Sequence, residues 1–471
     1  MIWSTFIACG QGGPRDRLDA GDGGDAFAVG PDADGGPDAK APHDAATADA
    51  SGAPDALDGG RDAGAPSDPL RVPPGETRQL GAAGISYFDP EVLSSPPLMT
   101  FTDQARTVWL AELDPVTGDL VSADGRDLAI DVGHAPLGAT NNGPEFGVDE
   151  NGWSIVYSKA VGGRIHTHQA FVEGADVTTS AVTSGTPILG AVASKAPEAS
   201  SVHVLAVRGA WNDGEAVWLD LARPDHQVPW ASAVEDTDGR WIDGALLAVH
   251  MVRDPPHDGQ LALFDPRTET STPITDDDTA KERPFGWFAP EAEGAIRVLA
   301  IVDGGTAIGV YEQRADGPWP QVLRVSLPAG SGGTRFSSPE PFVVNGRSFA
   351  SVSVVNDSTT PRDSQTWIVD LADPEGPGTV RCDDGGPQPV LRADPEVLIG
   401  EEQVFLYWYR FTGGPVTLHR CASGLRTGDC PCLNGGACLP MDRCACPPGT
   451  TGDRCESVHR AEGGGRRDRH G

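Results

Sequence analysis

The tetrapeptide PEFG at residues 144–147 recurs in altered form along the chain, and this repetition decides the fold. Each copy places a proline, and in the clearest copies a glutamate, ahead of a short apolar run, as PEVL does at residues 90–93. Two further clear copies begin at Pro339 and Pro395, and looser copies begin near Pro187, Gly239 and Pro284. Successive copies start 43 to 56 residues apart, so the sequence contains seven units of similar length.

A second series of motifs is independent of the first. Turn-forming residues stand between two strand-like runs at LDP 113–115, EGAD 173–176, RPD 223–225, FDP 264–266, ADG 315–317 and ADP 372–374. These motifs predict hairpin turns between the third and fourth strands of six units. The seventh unit lacks such a turn. If the units are the blades of a β-propeller, the last blade is commonly completed by a strand from the other end of the domain. The segment 77–85 is then the expected donor.

Between residues 76 and 425 the chain alternates short β-type runs with Gly, Pro, Asp and Asn. Examples of these runs are TVWLAEL at residues 107–113 and VFLYWY at residues 404–409. Helical periodicity over ten residues is missing, so the segment is predicted to be all-β. Four strands and about 50 residues per unit predict a seven-bladed β-propeller, with six or eight blades left open.

The stretch PEFGVDENGWSIVYS at residues 144–158 resembles the repeat of TolB-type β-propellers. In that family a Pro-x-Phe strand, an Asp/Asn-Gly turn and an apolar strand ending in Tyr-Ser follow in this order. The resemblance extends over about 350 residues at the level of the repeat, although this unit alone carries all three parts. It implies a fold rather than a reaction, because propellers support many unrelated functions.

The charge balance excludes one class of function. The chain carries 68 acidic and 35 basic residues, a net charge of −33, which repels nucleic acid and anionic lipid. No apolar run reaches the roughly 18 residues that a membrane-spanning helix needs. We therefore expect no nucleic-acid partner, and contact with a membrane only through a lipid anchor.

The N-terminal part of the chain is predicted to be an anchor followed by a spacer. Within residues 1–9, Phe6-Ile7-Ala8-Cys9 resembles a bacterial lipobox, which implies lipidation of Cys9; the alternative is an incidental thiol. Residues 10–75 consist almost wholly of Asp, Ala, Gly and Pro and are predicted to be disordered. Their Asp-rich phrases lack the Glu of an EF-hand loop, so no calcium is expected there. This arrangement resembles surface lipoproteins of Gram-negative bacteria and implies an exported protein at the outer membrane or outside the cell.

The C-terminal cysteines form the sharpest motif. The segments CPCLNGGAC at residues 430–438, CACPPG at 444–449 and GDRC at 452–455 resemble an EGF-like module, which is assigned to residues 426–456. Residues 457–471 are predicted to be a disordered tail. Dense cysteines without histidine partners at zinc-binding spacing indicate disulfides formed in an oxidising compartment. By position, the resemblance implies the pairs Cys432–Cys444 and Cys446–Cys455.

Two pairings of the remaining cysteines stay open. Either Cys430 bonds Cys438 and leaves Cys382 with Cys421, or Cys421 is the first cysteine of the module. Cys382 is expected to end a fourth strand and Cys421 a third strand, at opposite faces of the propeller, which argues against joining them. The self-contained set of six is nevertheless favoured.

No catalytic or metal-binding constellation emerges from the sequence, and no cofactor is predicted. Ser348 lies in GRSFA at residues 346–350, which is the nearest approach to a nucleophile elbow, but it falls in a predicted strand. His166 and His168 are interpreted as exposed residues of an outer strand. Asp276-Asp277-Asp278 is interpreted as a solvated turn.

These observations predict a non-enzymatic cell-surface protein. A lipid anchor, a spacer, a propeller and an EGF-like module would present binding surfaces to an unidentified extracellular protein or glycan. The alternatives are a glycan-active propeller enzyme, either a lyase or a glycosidase with carboxylates in its channel, and a structural spacer of the envelope. Convergence of Asp, Glu, His or Arg from several inner strands in one pocket would favour the enzyme over simple binding.

Overall fold

The computed structural model describes residues 75–135, 142–209, 214–231, 239–252, 259–360, 362–376, 378–385, 389–411 and 415–427. It also describes four short C-terminal strands at residues 437–439, 443–445, 450–451 and 457–458. Cys9, the predicted linker up to residue 74, and Cys430, Cys432, Cys446 and Cys455 lie outside the described residues.

The described chain forms seven four-stranded antiparallel sheets, which are the blades of a propeller. Strand β1 (Thr77–Leu80) precedes them. Blade one contains β2 (Phe88–Ser94), β3 (Pro97–Thr102), β4 (Thr107–Glu112) and β5 (Leu128–Val132). Blade two contains β6 (Glu145–Asp149), β7 (Gly152–Val161), β8 (Arg164–Glu173) and β9 (Asp176–Ala181). Blade three contains β10 (Ile188–Ala193), β11 (His203–Arg208), β12 (Glu215–Asp220) and β13 (Gln227–Ala231).

The remaining blades follow the same order along the chain. Blade four contains β14 (Arg240–Trp241), β15 (Ala248–Met251), β16 (Leu261–Asp265) and β17 (Thr270–Pro273). Blade five contains β18 (Glu282–Ala289), β19 (Ala295–Val302), β20 (Ala307–Glu312) and β21 (Gln321–Ser326). Blade six contains β22 (Arg335–Val344), β23 (Arg347–Asn356), β24 (Asp363–Asp370) and β25 (Val380–Arg381). Blade seven contains β26 (Leu391–Ile399), β27 (Gln403–Phe411) and β28 (Thr417–Arg426).

Short elements complete the described chain. Two 3₁₀ turns, Pro290–Ala292 and Asp303–Gly305, flank β19. Beyond the propeller, β29 (Ala437–Leu439) pairs with β30 (Arg443–Ala445), and β31 (Thr450–Thr451) pairs with β32 (Ser457–Val458).

Strand β1 closes the ring by completing blade seven. It pairs antiparallel with β28, with Thr77 opposite Cys421 and Leu80 opposite Leu418. The first strand of each blade also contacts the first strand of the next blade, and β26 contacts β2. The predicted seven blades, the strand donated from the segment 77–85 and the six hairpin turns are therefore confirmed.

Apolar residues between successive blades form the core. Between blades seven and one, for example, Phe405 and Tyr407 pack with Met99 and Phe101, and all four side chains are fully buried. Equivalent clusters lie at each of the other six junctions of the described ring. Burial of one large apolar side chain contributes about 1.5–3 kcal/mol to the free energy of unfolding. Because each junction buries several such side chains, the junctions together stabilise the ring.

A β-bulge interrupts several of the inner strands. The register shifts in β2, β10, β18, β22 and β26, and at each shift one residue has positive φ: Asp89, Gly190, Arg283, Ser338 and Asp394. Pro90, Pro339 and Pro395 each come directly after one of these residues. A proline has no N–H to contribute to the sheet, so it is well placed at a bulge. Bulges redirect side chains, and three of these precede a glutamate of the repeat, namely Glu91, Glu340 and Glu396.

A disulfide joins Cys382 to Cys421, with 5.7 Å between their Cα atoms. The expectation that these two cysteines lie on opposite faces was wrong. Cys382 does follow the fourth strand of blade six, but Cys421 lies within β28 rather than at its end. Because adjacent blades pack face to face, both cysteines meet in the apolar contact between blades six and seven.

We expect non-reducing peptide mapping of the full-length protein to recover a peptide that links Cys382 to Cys421. Replacing both residues by alanine should then lower the free energy of unfolding by roughly 2–4 kcal/mol, because the bond closes a long loop. Urea unfolding of the variant and of the unmodified chain measures this difference. A peptide that links Cys421 to the C-terminal cysteines would contradict the pairing and would favour Cys421 as the first cysteine of the module.

Candidate functional site

The repeated proline-glutamate motif places four glutamates on the inner strands of four consecutive blades. Glu340 lies in β22 of blade six, Glu396 in β26 of blade seven, Glu91 in β2 of blade one and Glu145 in β6 of blade two. Two aspartates, Asp89 and Asp394, join them from β2 and β26. We call these six residues the channel cluster, because the inner strands surround the central channel of the propeller.

Three of these carboxylates lie together where blades six and seven meet. One carboxylate oxygen from each of Glu340, Asp394 and Glu396 lies within 4.8 Å of the other two. Glu396 is only 7 % exposed, and no hydrogen bond or ion pair among the described residues involves its carboxylate, although the charge of Lys195 acts to lower its pKa. Asp394 shares a hydrogen bond with the carboxyl group of Asp89. The geometry therefore gathers carboxylates with few direct partners, although the charges of Arg240 and Arg283 act on Asp394.

Basic residues come from the other three blades. Lys195, which follows β10, donates to Glu91 over 2.5 Å. Arg240 of β14 lies over the ring of Phe285 and donates to a backbone carbonyl. Arg283 of β18 makes long contacts of 3.4–3.5 Å with serine hydroxyl groups of blade six. The inner ring therefore has an acidic half, from blades six, seven, one and two, and a basic half.

Burial and mutual repulsion raise the pKa values of the acidic half. Burial, followed by the charges of Asp394 and Glu91, raises the pKa of Glu340 well above its usual range. Burial and the neighbouring carboxylates, Glu340 first among them, do the same to the pKa of Glu396. For Glu145, burial and the charge of Glu91 raise the pKa to about 8.

The pKa of Lys195 is raised as well, but for a lysine a raised pKa favours the charged form. Burial alone would lower its pKa, but the surrounding carboxylates, led by Glu91 and Asp243, raise it well above the ordinary lysine value. Lys195 therefore stays charged at neutral pH and neutralises part of the cluster. The six carboxyl groups of the channel cluster and Asp243 face three basic side chains, so the fully ionised ring would retain an excess of four negative charges.

This arrangement supports two kinds of chemistry. An uncompensated group of carboxylates attracts a cation, because the Coulomb energy is large where water is partly excluded. A carboxyl group with a pKa near neutrality, such as that of Glu145, also suits proton transfer. Within the described residues, the channel cluster combines both features.

The residues that the sequence analysis considered for other sites lie elsewhere. Ser348 is buried in β23, where its hydroxyl group donates to Glu291, so it is not an exposed nucleophile. His168 is also buried, beside Tyr157, which corrects its interpretation as an exposed residue. The side chain of Asp277 accepts hydrogen bonds from Lys281 and from the backbone of Thr279, as in an internally satisfied turn.

The predicted EGF-like disulfides are not tested by the described residues. Cys438 and Cys444 lie opposite each other in the backbone pairing of β29 with β30. The pairs Cys432–Cys444, Cys446–Cys455 and Cys430–Cys438 stay predictions.

Sequence analysis missed the channel cluster, although its signal was present. The Pro-Glu pair was used to mark the repeat, and its glutamate was not recognised as a side chain that recurs at one position of the ring. Glu91, Glu145, Glu340 and Glu396 come from units that are far apart in sequence but consecutive around the closed ring. Recurrence of a charged residue in the innermost strand was the available signal.

Comparisons with known proteins add a fold neighbour. The sequence matches no protein-family model and no curated protein sequence. Among solved structures, the β-propeller domain of Cps50 (Swd1) from Myceliophteria thermophila is similar over 74 % of this chain and 98 % of that chain. The identity is 13 % and the TM-score is 0.45, so the assignment of the fold rests on the strand topology.

No helix among the described residues is both long enough and apolar enough to cross a membrane.

We expect the protein, without added metal ions, to lose stability as the pH rises from about 5 to 8. A carboxyl group with a raised pKa holds its proton in the folded state after the unfolded chain has released it. The free energy of unfolding therefore falls in this window, by up to about 1.4 kcal/mol per pH unit for each carboxyl group of this kind. Glu145→Gln should flatten the fall, because glutamine cannot ionise. Urea unfolding across the pH window in a chelating buffer measures the slopes.

Asp316→Asn, in the exposed turn after β20, is the matched control and should keep the slope of the unmodified protein. Parallel profiles for Glu145→Gln and the unmodified protein would contradict the raised pKa of Glu145.

Proposed function

We propose that this chain is a lipid-anchored surface protein that binds a protein or glycan through its propeller. The fold is compatible with an interaction scaffold, because loops from all seven blades flank a common channel. The observation that carries the proposal is the charged inner ring, in which an acidic half faces Lys195, Arg240 and Arg283. Such a ring suits a ligand group that carries charge.

The anchor and the C-terminal module belong to the same proposal. The lipobox-like sequence before Cys9 supports lipidation, and export agrees with the disulfide between Cys382 and Cys421. The spacing of the C-terminal cysteines supports an EGF-like module, and the two small hairpins β29–β30 and β31–β32 are compatible with it. The phrase at residues 144–158 supports a relation to TolB-type propellers.

A second candidate is a glycan-active enzyme, and the convergence of inner-strand carboxylates favours it. Hydrolysis of a glycosidic bond uses one protonated and one ionised carboxyl group. Glu145, with a pKa of about 8, would supply the protonated group at neutral pH. The nearby Glu91, whose pKa burial raises and the charge of Lys195 lowers, would supply the ionised group through its ion pair with Lys195.

A binding experiment separates these candidates. The full-length protein, used as bait in outer-membrane extract, should retain a specific partner under binding conditions. Glu91→Gln should weaken this capture at least tenfold, because it removes half of the ion pair with Lys195. The double variant Asp276→Asn/Asp278→Asn, in an exposed turn of blade four, should leave capture unchanged.

Three outcomes would count against the proposal. Equal capture by Glu91→Gln would place the binding surface outside the channel. Release of reducing sugar from envelope glycans, lost in Glu145→Gln, would establish the enzyme instead. An unchanged membrane fraction for Cys9→Ala would remove the lipid anchor.

A further inference from the structure

We propose that Glu340, Asp394 and Glu396 form a binding site for one hard divalent cation of the size of calcium, at the junction of blades six and seven. This inference goes beyond the proposed surface role and does not depend on it.

The distances among the three carboxylates fit a shared ion. Their closest oxygens all lie within 4.8 Å of one another. Calcium binds oxygen at about 2.3–2.6 Å, so two oxygens on one ion are at most about 5 Å apart. The corresponding limit for magnesium is about 4.2 Å, and its octahedral geometry is strict. The spacing is within the range of a calcium site, and the coordination of calcium is more tolerant than the strict octahedron of magnesium.

A separate observation is that Glu396 is buried without a partner. Glu396 is only 7 % exposed, and its carboxylate lies beside those of Glu340 and Asp394. Within the described ring no donor contacts this carboxylate. An unpaired buried carboxylate is costly, and protonation or a bound cation is the usual compensation.

The basic residues of the channel are committed to other contacts. Lys195 donates to Glu91. Arg240 lies over Phe285, and Arg283 contacts the serine hydroxyl groups of blade six. None of the three donates a hydrogen bond to Glu340, Asp394 or Glu396 in the described structure. The cation site is therefore not already filled by a side chain of the protein.

The donor atoms decide the class of metal. The three ligands are carboxylates, and no histidine or cysteine joins the group in the described residues. Carboxylate oxygens favour calcium, magnesium or manganese, whereas zinc and copper favour nitrogen and sulfur ligands. The raised pKa values of Glu340 and Glu396, caused first by burial, agree with a site that lacks its counter-charge. Among these hard ions, calcium has the most tolerant coordination geometry, which favours it at this site.

The backbone holds these ligands in fixed positions. Glu340 follows the bulge of β22, and Asp394 and Glu396 lie at the bulge of the adjacent strand β26. Because the two strands contact each other, the ligands come from neighbouring rigid elements rather than from loops. Two ligands from one strand and one from the next would therefore connect blades six and seven through the ion.

Calcium titration of the full-length chain tests the site. We expect isothermal titration calorimetry to detect binding with a Kd of order 10⁻⁴ M, as in weak extracellular calcium sites. Glu396→Gln, which keeps the shape of the side chain, should weaken this binding at least tenfold. Asp394→Asn should also weaken binding at least tenfold. The variant should keep the fold, because asparagine tolerates the positive φ of this position. Asp276→Asn/Asp278→Asn, the control in another acidic segment, should bind within twofold of the unmodified protein.

Thermal unfolding distinguishes loss of the site from loss of the fold. In a chelating buffer, Glu396→Gln should be at least as stable as the unmodified protein, because glutamine cannot ionise and so cannot repel the neighbouring carboxylates. With calcium, the unmodified protein should become the more stable of the two. A variant that is less stable under both conditions would indicate a structural role for Glu396 and would overturn the inference.

Other results would also overturn it. One is that the unmodified protein shows neither binding heat nor a thermal shift with calcium at about 10 mM, a concentration well above the Kd of the weakest such sites. Another is that Glu396→Gln binds calcium as tightly as the unmodified protein. Equal losses in the acidic-turn control would place the ion elsewhere, and equal affinity for magnesium would refute the assignment to calcium.

Discussion

The pairing of β1 with β28 is the constraint on which the rest of the structure depends. It closes a ring whose first blade and last blade are far apart in the chain, and it brings β26 against β2. Without closure, blades seven and one would be the two ends of an open array, each with an unpaired edge. Closure therefore stabilises the ring and also completes the acidic half of the channel, because Asp89 meets Asp394 only across this junction.

The charge of the channel differs in kind from the general acidity of the chain. Exposed carboxylates are solvated and screened, whereas those of the channel cluster are partly withdrawn from water and repel one another. Glu91 is compensated by Lys195, but Glu396 is left without a donor. Natural structures rarely retain an uncompensated buried charge unless a proton, ion or ligand balances it. This imbalance is the reason to place the functional site at the ring centre rather than on the outer strands.

Much of the fold could be predicted from the sequence, because each blade repeats local signals. The Pro-Glu pairs marked the inner strands, and the Asp-containing turns marked the hairpins between third and fourth strands. The missing turn in the seventh unit predicted that β1 would close the ring. These signals depend on local backbone preferences, which the sequence expresses directly.

The site could not be predicted in the same way. Side chains alternate between the faces of a regular strand, but the bulges before Glu91, Glu340 and Glu396 break that alternation. The direction of each glutamate therefore depended on a backbone irregularity that the sequence did not announce. The favoured set of six leaves Cys382 with Cys421, and these two are bonded, but their placement on opposite faces was judged wrongly for a related reason, since it depends on how two blades pack against each other.

The central claim is that the packing of blade six against blade seven gathers three carboxylates into a group that holds a cation. Anomalous diffraction from crystals soaked in a lanthanide, which replaces calcium at oxygen sites, tests this claim most directly. The account predicts an anomalous peak in the channel, within bonding distance of Glu340, Asp394 and Glu396. Peaks confined to the exposed acidic turns, with none in the channel, would contradict it.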